Sequence, residues 1–205
     1  MTPLDPHAQL EVSFSPFPVL RTHRLVLRKM EPADAEALLF LRSDPTILQY
    51  LDRDPIHSTA EAALFIRHIN DSVDRNEGIN WGISLKDDPA LIGTIGFWRL
   101  QKEHFRAEIG YLLHPHHWGK GLVSEAIDAV MDYGWNVMGL HSVEANVNPG
   151  NSASIRVLQK AGFVQEAYFR QNYFFRGRFI DSLIFCKLTP AAEQGTTNEQ
   201  TPPVY

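Results

Sequence analysis

Two glycines separate an apolar strand pattern from an amphipathic helix pattern in residues 116–126, HHWGKGLVSEA. Gly119 and Gly121 allow the backbone to approach a ligand closely and to take φ angles that a side chain would forbid. The first N–H groups of the following helix have no intrahelical partner, and the helix dipole adds roughly half a positive charge at that end. A turn of this kind is suited to binding a phosphate group.

Three interpretations of this turn can be compared. A Walker loop requires Ser or Thr directly after its lysine, and Lys120 is followed by Gly121, so that interpretation fails. A dinucleotide-binding fingerprint would use both glycines, with Glu144 to hold a ribose. However, Ser124 stands where the third glycine belongs, and too little chain follows for a doubly wound sheet. An ordinary glycine-containing turn from strand to helix stays open on this segment alone.

A second segment, residues 148–163, follows a predicted strand at about His141–Val147. It has helix-capping residues, a short helix pattern and Gly162 just after the helix end. The two segments together resemble the GNAT superfamily of N-acetyltransferases, and most closely the branch that includes the ribosomal-protein alanine and serine N-acetyltransferases. The motifs that carry the resemblance are Trp118–Gly119–Lys120–Gly121 with Glu125–Ala126, Asn151–x–x–Ser154, Lys160–x–Gly162–Phe163, Leu20–Arg28, Asp34–Leu38, Leu91–Gly96 and Arg176–Asp181.

The resemblance covers about residues 18–189 and implies the GNAT fold. This fold is a mixed α/β domain with a central twisted mixed sheet of about seven strands, flanked by about four helices, whose parallel strands splay at the coenzyme site. Residues 1–17 are then an N-terminal extension, and residues 190–205 form a polar tail that is expected to stay disordered.

Hydrophobic periodicity and punctuating residues predict individual elements along the chain. The predicted helices are Pro32–Ser43, Thr59–Asn76, a helix from Leu122 with Val137 on its apolar face, and a short helix within 148–163 that ends before Gly162. The predicted strands are Arg24–Arg28, Asn80–Lys86, Leu91–Leu100, Ala107–Leu113, His141–Val147, Phe163–Arg170 and Phe179–Leu188. Asp44–Pro45 and the segment 52–55 are predicted as loops.

Composition fits a globular enzyme and excludes several other classes. The chain has 205 residues, of which 44% are hydrophobic, enough for one domain with a substantial core. The net charge of −5, without a basic run, argues against nucleic-acid binding as the main activity. A single cysteine, Cys186, fits a reducing compartment, and we expect it to be a core residue. The segment 1–18 does not have the pattern of a secretion signal, and no stretch approaches membrane-spanning length, so the expected location is the cytoplasm.

By resemblance, the reaction is direct transfer of an acetyl group from acetyl-CoA to an amine, without a covalent enzyme intermediate and without a metal. The backbone N–H groups from Gly119 to Ser124 would bind the pyrophosphate, and the strands around Glu108 and Ala145 would part to admit the pantetheine arm. Asn151 would contact this arm, and Ser154 would lie near the thioester sulfur. The expected coenzyme-binding residues are Leu113, Trp118, Gly119, Lys120, Gly121, Leu122, Val123, Ser124, Asn151 and Ser154.

The acceptor amine must lose a proton before it attacks the thioester, and Glu108 is the candidate base. It lies in an otherwise apolar strand, where partial burial would raise its pKa. The alternative is a charge on the exposed strand face or a salt bridge to Arg106 or His104. Enzymes of the wider superfamily often have a tyrosine acid where Leu158 stands, so Ser154, Tyr173 or solvent would have to protonate the leaving thiolate.

Other conspicuous residues have simpler interpretations. His114, His116 and His117 are clustered without a carboxylate at metal-ligand spacing, so they are expected to flank the phosphate turn. Trp98 or Tyr111 could line the acceptor pocket. Phe174, Phe175, Arg176 and Arg178 could form a substrate-facing hairpin or a dimer edge, so both monomer and homodimer stay open.

Two classes of function follow from these observations. The favoured class is an acetyl-CoA-dependent N-acetyltransferase that acts on a protein N-terminus or a small amine. The alternative is a coenzyme-binding regulatory module that has lost transfer activity, as Leu158 in place of the acid would suggest.

Overall fold

The structure is a computed structural model and describes residues 8–190. Within these residues, eight strands form one sheet in the order β1-β2-β3-β4-β5-β6-β8-β7. The strands are β1 Leu20–Arg21, β2 Leu25–Arg28, β3 Ile79–Leu85, β4 Asp88–Gln101, β5 Arg106–Leu113, β6 Ser142–Val147, β7 Val164–Phe175 and β8 Arg178–Leu188. The α-helices are α1 Ala35–Ser43, α2 Pro45–Leu48, α3 Thr59–Asp74, α4 Leu122–Tyr133 and α5 Ser152–Lys160. Short 3₁₀ turns occupy Pro32–Asp34, Lys102–His104 and Pro115–His117, and a π-helical turn occupies Gly134–Met138.

The sheet is mixed, as predicted, because β5 and β6 pair in parallel while the other neighbouring strands pair antiparallel. It has eight strands instead of about seven, since the chain turns between Leu20–Arg21 and Leu25–Arg28 and pairs with itself. The described residues, 8–190, contain five α-helices, one more than the expected number of about four.

The prediction of a loop at Asp44–Pro45 is wrong. Asp44 caps the short helix α2, because its side-chain Oδ1 accepts hydrogen bonds from the backbone N–H groups of Thr46 and Ile47. Pro45 occupies the first helical position, where its missing N–H costs nothing. An Asp-Pro pair is therefore a helix start here, and it buries Ile47.

Two further elements differ from the predicted ones. β7 extends through Phe175 instead of ending near Arg170, and a two-residue turn with positive φ at Arg176 and Gly177 leads into β8. The helix α4 widens into a π-helical turn after Tyr133, which changes the angular spacing of side chains. Val137 is consequently 65% exposed instead of lying on the apolar face.

Helices cover both faces of the sheet. Successive residues of a strand point to opposite faces of the sheet. Leu112 therefore packs in a core cluster with α1, α2 and α3, whereas the next residue, Leu113, packs in a larger cluster with α4 and α5. Cys186 is buried in β8, as expected. In the part of the chain that the structure describes, no helix is long and apolar enough to cross a membrane. The predicted tail from residue 191 onward and the first seven residues lie outside the described residues.

Gly96 should be intolerant of even a methyl group. A Cβ at Gly96 would lie 2.2 Å from the carbonyl oxygen of Ile79 and 2.7 Å from Cα of Asn80, both backbone atoms of the paired strand β3. We expect Gly96→Ala to lower the free energy of unfolding by about 3 kcal/mol, at the upper end of overpacking costs, in urea denaturation. The control Gly110→Ala places its Cβ 3.4 Å from the Trp98 ring, which can shift, and should cost less than half as much. Equal losses in the two variants would contradict this packing argument.

Candidate active site

The site begins where two parallel strands part. β5 pairs with β6 only at Arg106–Ser142, Ala107–Val143 and Glu108–Glu144. β5 then continues to Leu113 and β6 to Val147 without further pairing between them. The predicted separation of the strands beyond Glu108 is thus present, and it leaves one edge of β5 without a β-ladder partner. A cleft of about 870 Å³ passes through this opening.

The glycine turn lies at the wide end of the cleft. Gly119 and Gly121 have φ angles of 72° and 74°, in the left-handed region that glycine tolerates best. Gly121 is the N-cap of α4, and no side chain caps that helix end, so its first N–H groups remain available to a ligand. Both glycines line the cleft, as do Leu122, Val123 and Ser124.

A carboxylate fixes this turn to the start of the sheet. Glu125 accepts hydrogen bonds from the Thr22 hydroxyl at 2.5 Å, the Arg24 backbone N–H at 2.7 Å and the Arg24 Nε at 2.7 Å. The Nη1 of Arg24 also donates to the carbonyl oxygen of Lys120 at 2.9 Å. The partly exposed guanidinium of Arg24 therefore lies beside the glycine turn. Sequence reasoning assigned Arg24 and Glu125 no role, although a carboxylate in the first turn of the helix was a usable signal.

Glu108 lies at the narrow end of the cleft, where pairing between β5 and β6 stops. It is only 5% exposed, and its Oε2 accepts a hydrogen bond from Nη1 of Arg99 at 2.9 Å. Burial raises the pKa of Glu108 above that of an ordinary carboxyl group, and the positive charge of Arg99 offsets part of that rise. A buried carboxylate with a raised pKa is a better proton acceptor than a solvated one.

The alternatives considered for Glu108 are wrong in detail. The carboxylate is not on an exposed face, and Arg106 pairs with Glu144 on the neighbouring strand at 2.5 Å. The ion-pair partner of Glu108 is Arg99. The backbone of Arg99 takes a left-handed φ of 46° at an irregularity in the pairing of β4 with β5. A bulge redirects a side chain in a way that strand alternation does not predict.

Ser154 is held by a tyrosine on the opposite face of β5 from Glu108. The hydroxyl oxygens of Tyr111 and Ser154 lie 2.6 Å apart. Burial raises the pKa of Tyr111 to about 12, although the Ser154 contact acts against this, so the phenol is neutral at pH 7. Asn151 caps α5, because its Oδ1 accepts from the backbone N–H of Ser154 at 3.0 Å. That contact leaves the amide nitrogen of Asn151 for a ligand.

Most of the remaining predicted residues meet in the same cleft. Leu113, Trp118, Asn151, Ser154, Glu108 and Tyr173 all line it. Nε1 of Trp118 donates to the carbonyl oxygen of Leu113 at 2.7 Å, which fixes the strand end to the turn. Lys120 is the exception among the predicted coenzyme residues, since its carbonyl oxygen bonds Arg24 and it does not line the cleft.

The other sequence candidates also have definite places. Trp98 and Tyr111 line the cleft. The ring of His114 stacks on that of Phe40 with centroids 4.4 Å apart, beside the turn. Among residues 8–190, no group of three His, Cys, Asp or Glu side chains is arranged to hold a metal ion. Phe174 is exposed on the β7–β8 hairpin, where Arg176 pairs with Asp54 at 3.0 Å.

Comparison with known proteins identifies the family. Residues 24–164 match the family model described as an acetyltransferase (GNAT) domain. The chain is 38% identical over 174 residues to the uncharacterized N-acetyltransferase YoaA of Bacillus subtilis, covering 85% of this chain and 98% of that protein.

Solved structures share the fold. A GNAT-family acetyltransferase from Bacillus anthracis superimposes with a TM-score of 0.74 at 28% identity, covering 83% of this chain and 98% of that one. RimL, a ribosomal L7/L12 α-N-protein acetyltransferase solved with coenzyme A, superimposes with a TM-score of 0.77 at 21% identity, covering 85% and 99%. The latter belongs to the branch that the sequence motifs resemble.

A bulky residue at the turn should block coenzyme binding. At about 100 times its dissociation constant, coenzyme A should stabilise the wild-type protein by roughly 2.7 kcal/mol. We expect Gly121→Val to lose most of this gain, because Gly121 has a φ of 74° and lines the cleft. Gly177→Val, at a φ of 80° in the β7–β8 turn, controls for backbone strain away from the cleft. Wild-type affinity of Gly121→Val in calorimetry would place the phosphate site elsewhere.

The Glu125 contacts should make stability depend on pH under acidic conditions. Partial burial acts to raise the pKa of Glu125, but hydrogen bonds from Thr22 and Arg24 lower it to about 2. The stabilisation is therefore complete above the unfolded pKa of about 4.3 and is lost as the pH falls towards 2. Glu125→Gln should cost on the order of 2 kcal/mol at pH 7, and this difference should shrink in denaturant titrations below pH 4.

The matched control is Asp74→Asn, which removes an exposed ion pair with Lys29. Its free energy of unfolding should equal that of the wild-type protein at every pH, since exposed ion pairs contribute little to stability. A difference in free energy of unfolding between Glu125→Gln and wild type that stays constant from pH 7 to pH 2 would contradict the role assigned to the Glu125 charge.

Proposed function

This chain belongs to the GNAT family of N-acetyltransferases, and on that premise we propose that acetyl-CoA occupies the cleft between β5 and β6 and acetylates a primary amine on the Glu108 side. The acceptor is a small-molecule amine or a protein N-terminal α-amine. The second type is the substrate that the name of RimL gives for that enzyme. The observation that carries the proposal is the parting of β5 and β6 next to the uncapped, glycine-containing start of α4.

Coenzyme binding would use mainly backbone groups. The N–H groups from Gly119 to Ser124 would bind the diphosphate, and the guanidinium of Arg24, which is paired with Glu125, holds the turn in place beside them. The pantetheine arm contains amides that can hydrogen-bond to the open edge of β5 beyond Glu108, in the way that an added strand would. Leu113 and Trp118 would frame this arm, and the free amide nitrogen of Asn151 would donate to it.

The acceptor must arrive as a neutral amine. Deprotonation at pH 7 costs about 1 kcal/mol for an α-amine with a pKa near 8, and about 4–5 kcal/mol for a lysine-like amine near 10.4. Glu108 is the proposed base, directly or through a water. Its burial and raised pKa support this role, and Arg99 holds its carboxylate in place.

The hydroxyl groups of Ser154 and Tyr111 would stabilise the leaving thiolate by hydrogen bonding. Leu158 is fully buried and offers no proton. Ser154 and Tyr111 share a hydrogen bond at the cleft wall, so Ser154 can donate to the sulfur while Tyr111 orients it. With a pKa of about 12, Tyr111 is a poor proton source for a thiolate of pKa near 8.5, and its contribution is hydrogen bonding. Tyr173 lines the cleft from β7 and would contact the acceptor.

Direct transfer is favoured over a covalent enzyme intermediate. Cys186 is buried in β8, away from the cleft lining, and burial raises the pKa of its thiol. It would be a poor nucleophile. A single buried cysteine also suits the reducing environment of the cytoplasm, which we propose as the compartment.

Release of free thiol from acetyl-CoA across a panel of amines and N-terminal peptides tests the proposal. An active transferase gives amine-dependent thiol release with a matching acetylated product. Coenzyme binding without product for every amine would instead support a regulatory module that has lost activity.

Replacement of the base should leave a characteristic pH profile. Glu108→Gln keeps the shape and loses the basicity, so kcat should fall by about 100- to 10,000-fold at pH 7 while coenzyme affinity hardly changes. The deficit should shrink as the pH approaches the pKa of the acceptor, because more amine then arrives deprotonated. The control Glu36→Gln makes the same change on the exposed side of α1, outside the cleft, and should keep wild-type turnover. Wild-type turnover of Glu108→Gln at neutral pH would remove Glu108 from the mechanism.

A further inference from the structure

Two arginines line the cleft without a counter-ion. Arg42 lies near the end of α1, and Arg53 lies in the connection between α2 and α3. Within residues 8–190, neither guanidinium has a carboxylate oxygen within 4.0 Å, whereas Arg99, which lines the same cleft, is paired with Glu108. Half-buried arginines that lack an anionic partner are costly to a folded protein.

Both guanidinium groups are held by aromatic rings. The Cζ of Arg42 lies 4.4 Å from the centroid of the Phe65 ring, and the Cζ of Arg53 lies 4.0 Å from that of the Trp98 ring. Stacking fixes the plane of a guanidinium and leaves the N–H groups on its edge free to bind an anion. A donor is also unused here, since Nε of Arg42 is buried and has no hydrogen-bond partner among the described residues.

The electrostatic environment favours an incoming anion. Burial lowers the pKa of Arg42 to about 10, with repulsion from Arg53 acting in the same direction. Burial also lowers the pKa of Arg53, against the attraction of Glu108. Both groups remain protonated at neutral pH. The neighbouring carboxylate Asp52 also lines the cleft but pairs with neither arginine; burial raises its pKa, and the charge of Arg178 acts against that rise.

The position of Arg53 separates it from the proposed diphosphate site at the glycine turn. The guanidinium of Arg53 stacks on the ring of Trp98. Trp98 in β4 pairs directly with Glu108 in β5. The glycine turn follows Leu113, five residues further along β5, or about 16 Å at the usual strand rise. Arg53 therefore lies at the end of the cleft where the acceptor amine would be deprotonated.

We infer that Arg42 and Arg53 form an acceptor subsite for a carboxylate, so that the preferred substrate is an amine that carries a carboxylate a few bonds away. This inference rests on the proposed function and narrows it. The carboxylate could be the terminal carboxylate of a small amino acid or peptide, or an acidic side chain that follows a protein N-terminus. A polyamine such as spermidine would place further positive charge against two unneutralised arginines.

Matched acceptors separate these cases. Ala-Asp-amide and Ala-Asn-amide share the same N-terminal residue and differ in a side-chain carboxylate, whereas Ala-Ala and Ala-Ala-amide differ in a terminal one. We expect the carboxylate member of at least one pair to be preferred by about 10- to 100-fold in kcat/KM, mainly through a lower KM, as a charge-assisted hydrogen bond would give. Whichever pair shows the preference identifies the source of the carboxylate. Spermidine should be the poorest acceptor.

Arginine variants assign the preference to this subsite. Arg42→Gln and Arg53→Gln should each lower the preference about tenfold or more, because they reduce kcat/KM for the carboxylate member much more than for the amide member. Arg67→Gln makes the same charge change on the exposed side of α3, outside the cleft, and should keep the wild-type preference. Equal use of both members of each pair by the wild-type protein, or a preference that survives both cleft substitutions, would overturn the inference.

Binding without turnover separates this inference from the proposed function. Calorimetric titration of the same peptides into protein saturated with coenzyme A measures the subsite alone. Arginine-dependent binding of a carboxylate peptide without acetylation would support the subsite and contradict transfer. Acetylation without any carboxylate preference would support transfer and contradict the subsite.

Discussion

The site depends on a sheet that stops pairing halfway along two of its strands. β5 and β6 share only three residue pairs, and beyond Glu108 the two strands have no ladder between them. Unpaired backbone groups are costly unless water or a ligand bonds them, so the opening is stable only because other elements hold its sides. β4 pairs with the far edge of β5, β8 pairs with the far edge of β6, and α4 and α5 pack beneath. The surrounding structure thus holds open a gap that an extended, amide-containing ligand can bridge.

The two ends of this opening differ in chemistry. At the wide end, backbone N–H groups and Arg24 surround the glycine turn, and Glu125 ties the turn to the first strands. At the narrow end, burial raises the pKa of Glu108, the guanidinium groups of Arg99 and Arg53 lie near it, and Arg42 lies near Arg53. The backbone N–H groups at the wide end suit the anionic coenzyme, and the guanidinium groups of Arg53 and Arg42 suit the carboxylate that we infer for the acceptor. The uncharged hydroxyls of Ser154 and Tyr111 lie on the other face of β5.

Local signals predicted the elements that carry the proposed coenzyme site. The spacing of Gly119, Gly121 and the apolar face of α4 indicated a glycine turn into a helix start, and the structure has one there without a side-chain cap. Long-range pairing was not predictable in the same way. The partner of Glu108 is Arg99, which reaches it through an irregularity in β4 that strand alternation hides, and the partner of Ser154 is Tyr111, 43 residues away. Arg42 and Arg53 carry no motif at all, because their significance comes from the aromatic rings they meet in the fold.

A crystal structure of the protein with coenzyme A would test the central claim most directly. The account predicts the diphosphate within hydrogen-bond distance of the backbone N–H groups at 119–124, the pantetheine arm between β5 and β6 beyond Glu108, and the sulfur near the Ser154 hydroxyl. Coenzyme bound outside this opening, or β5 and β6 paired along their whole length in the complex, would contradict it.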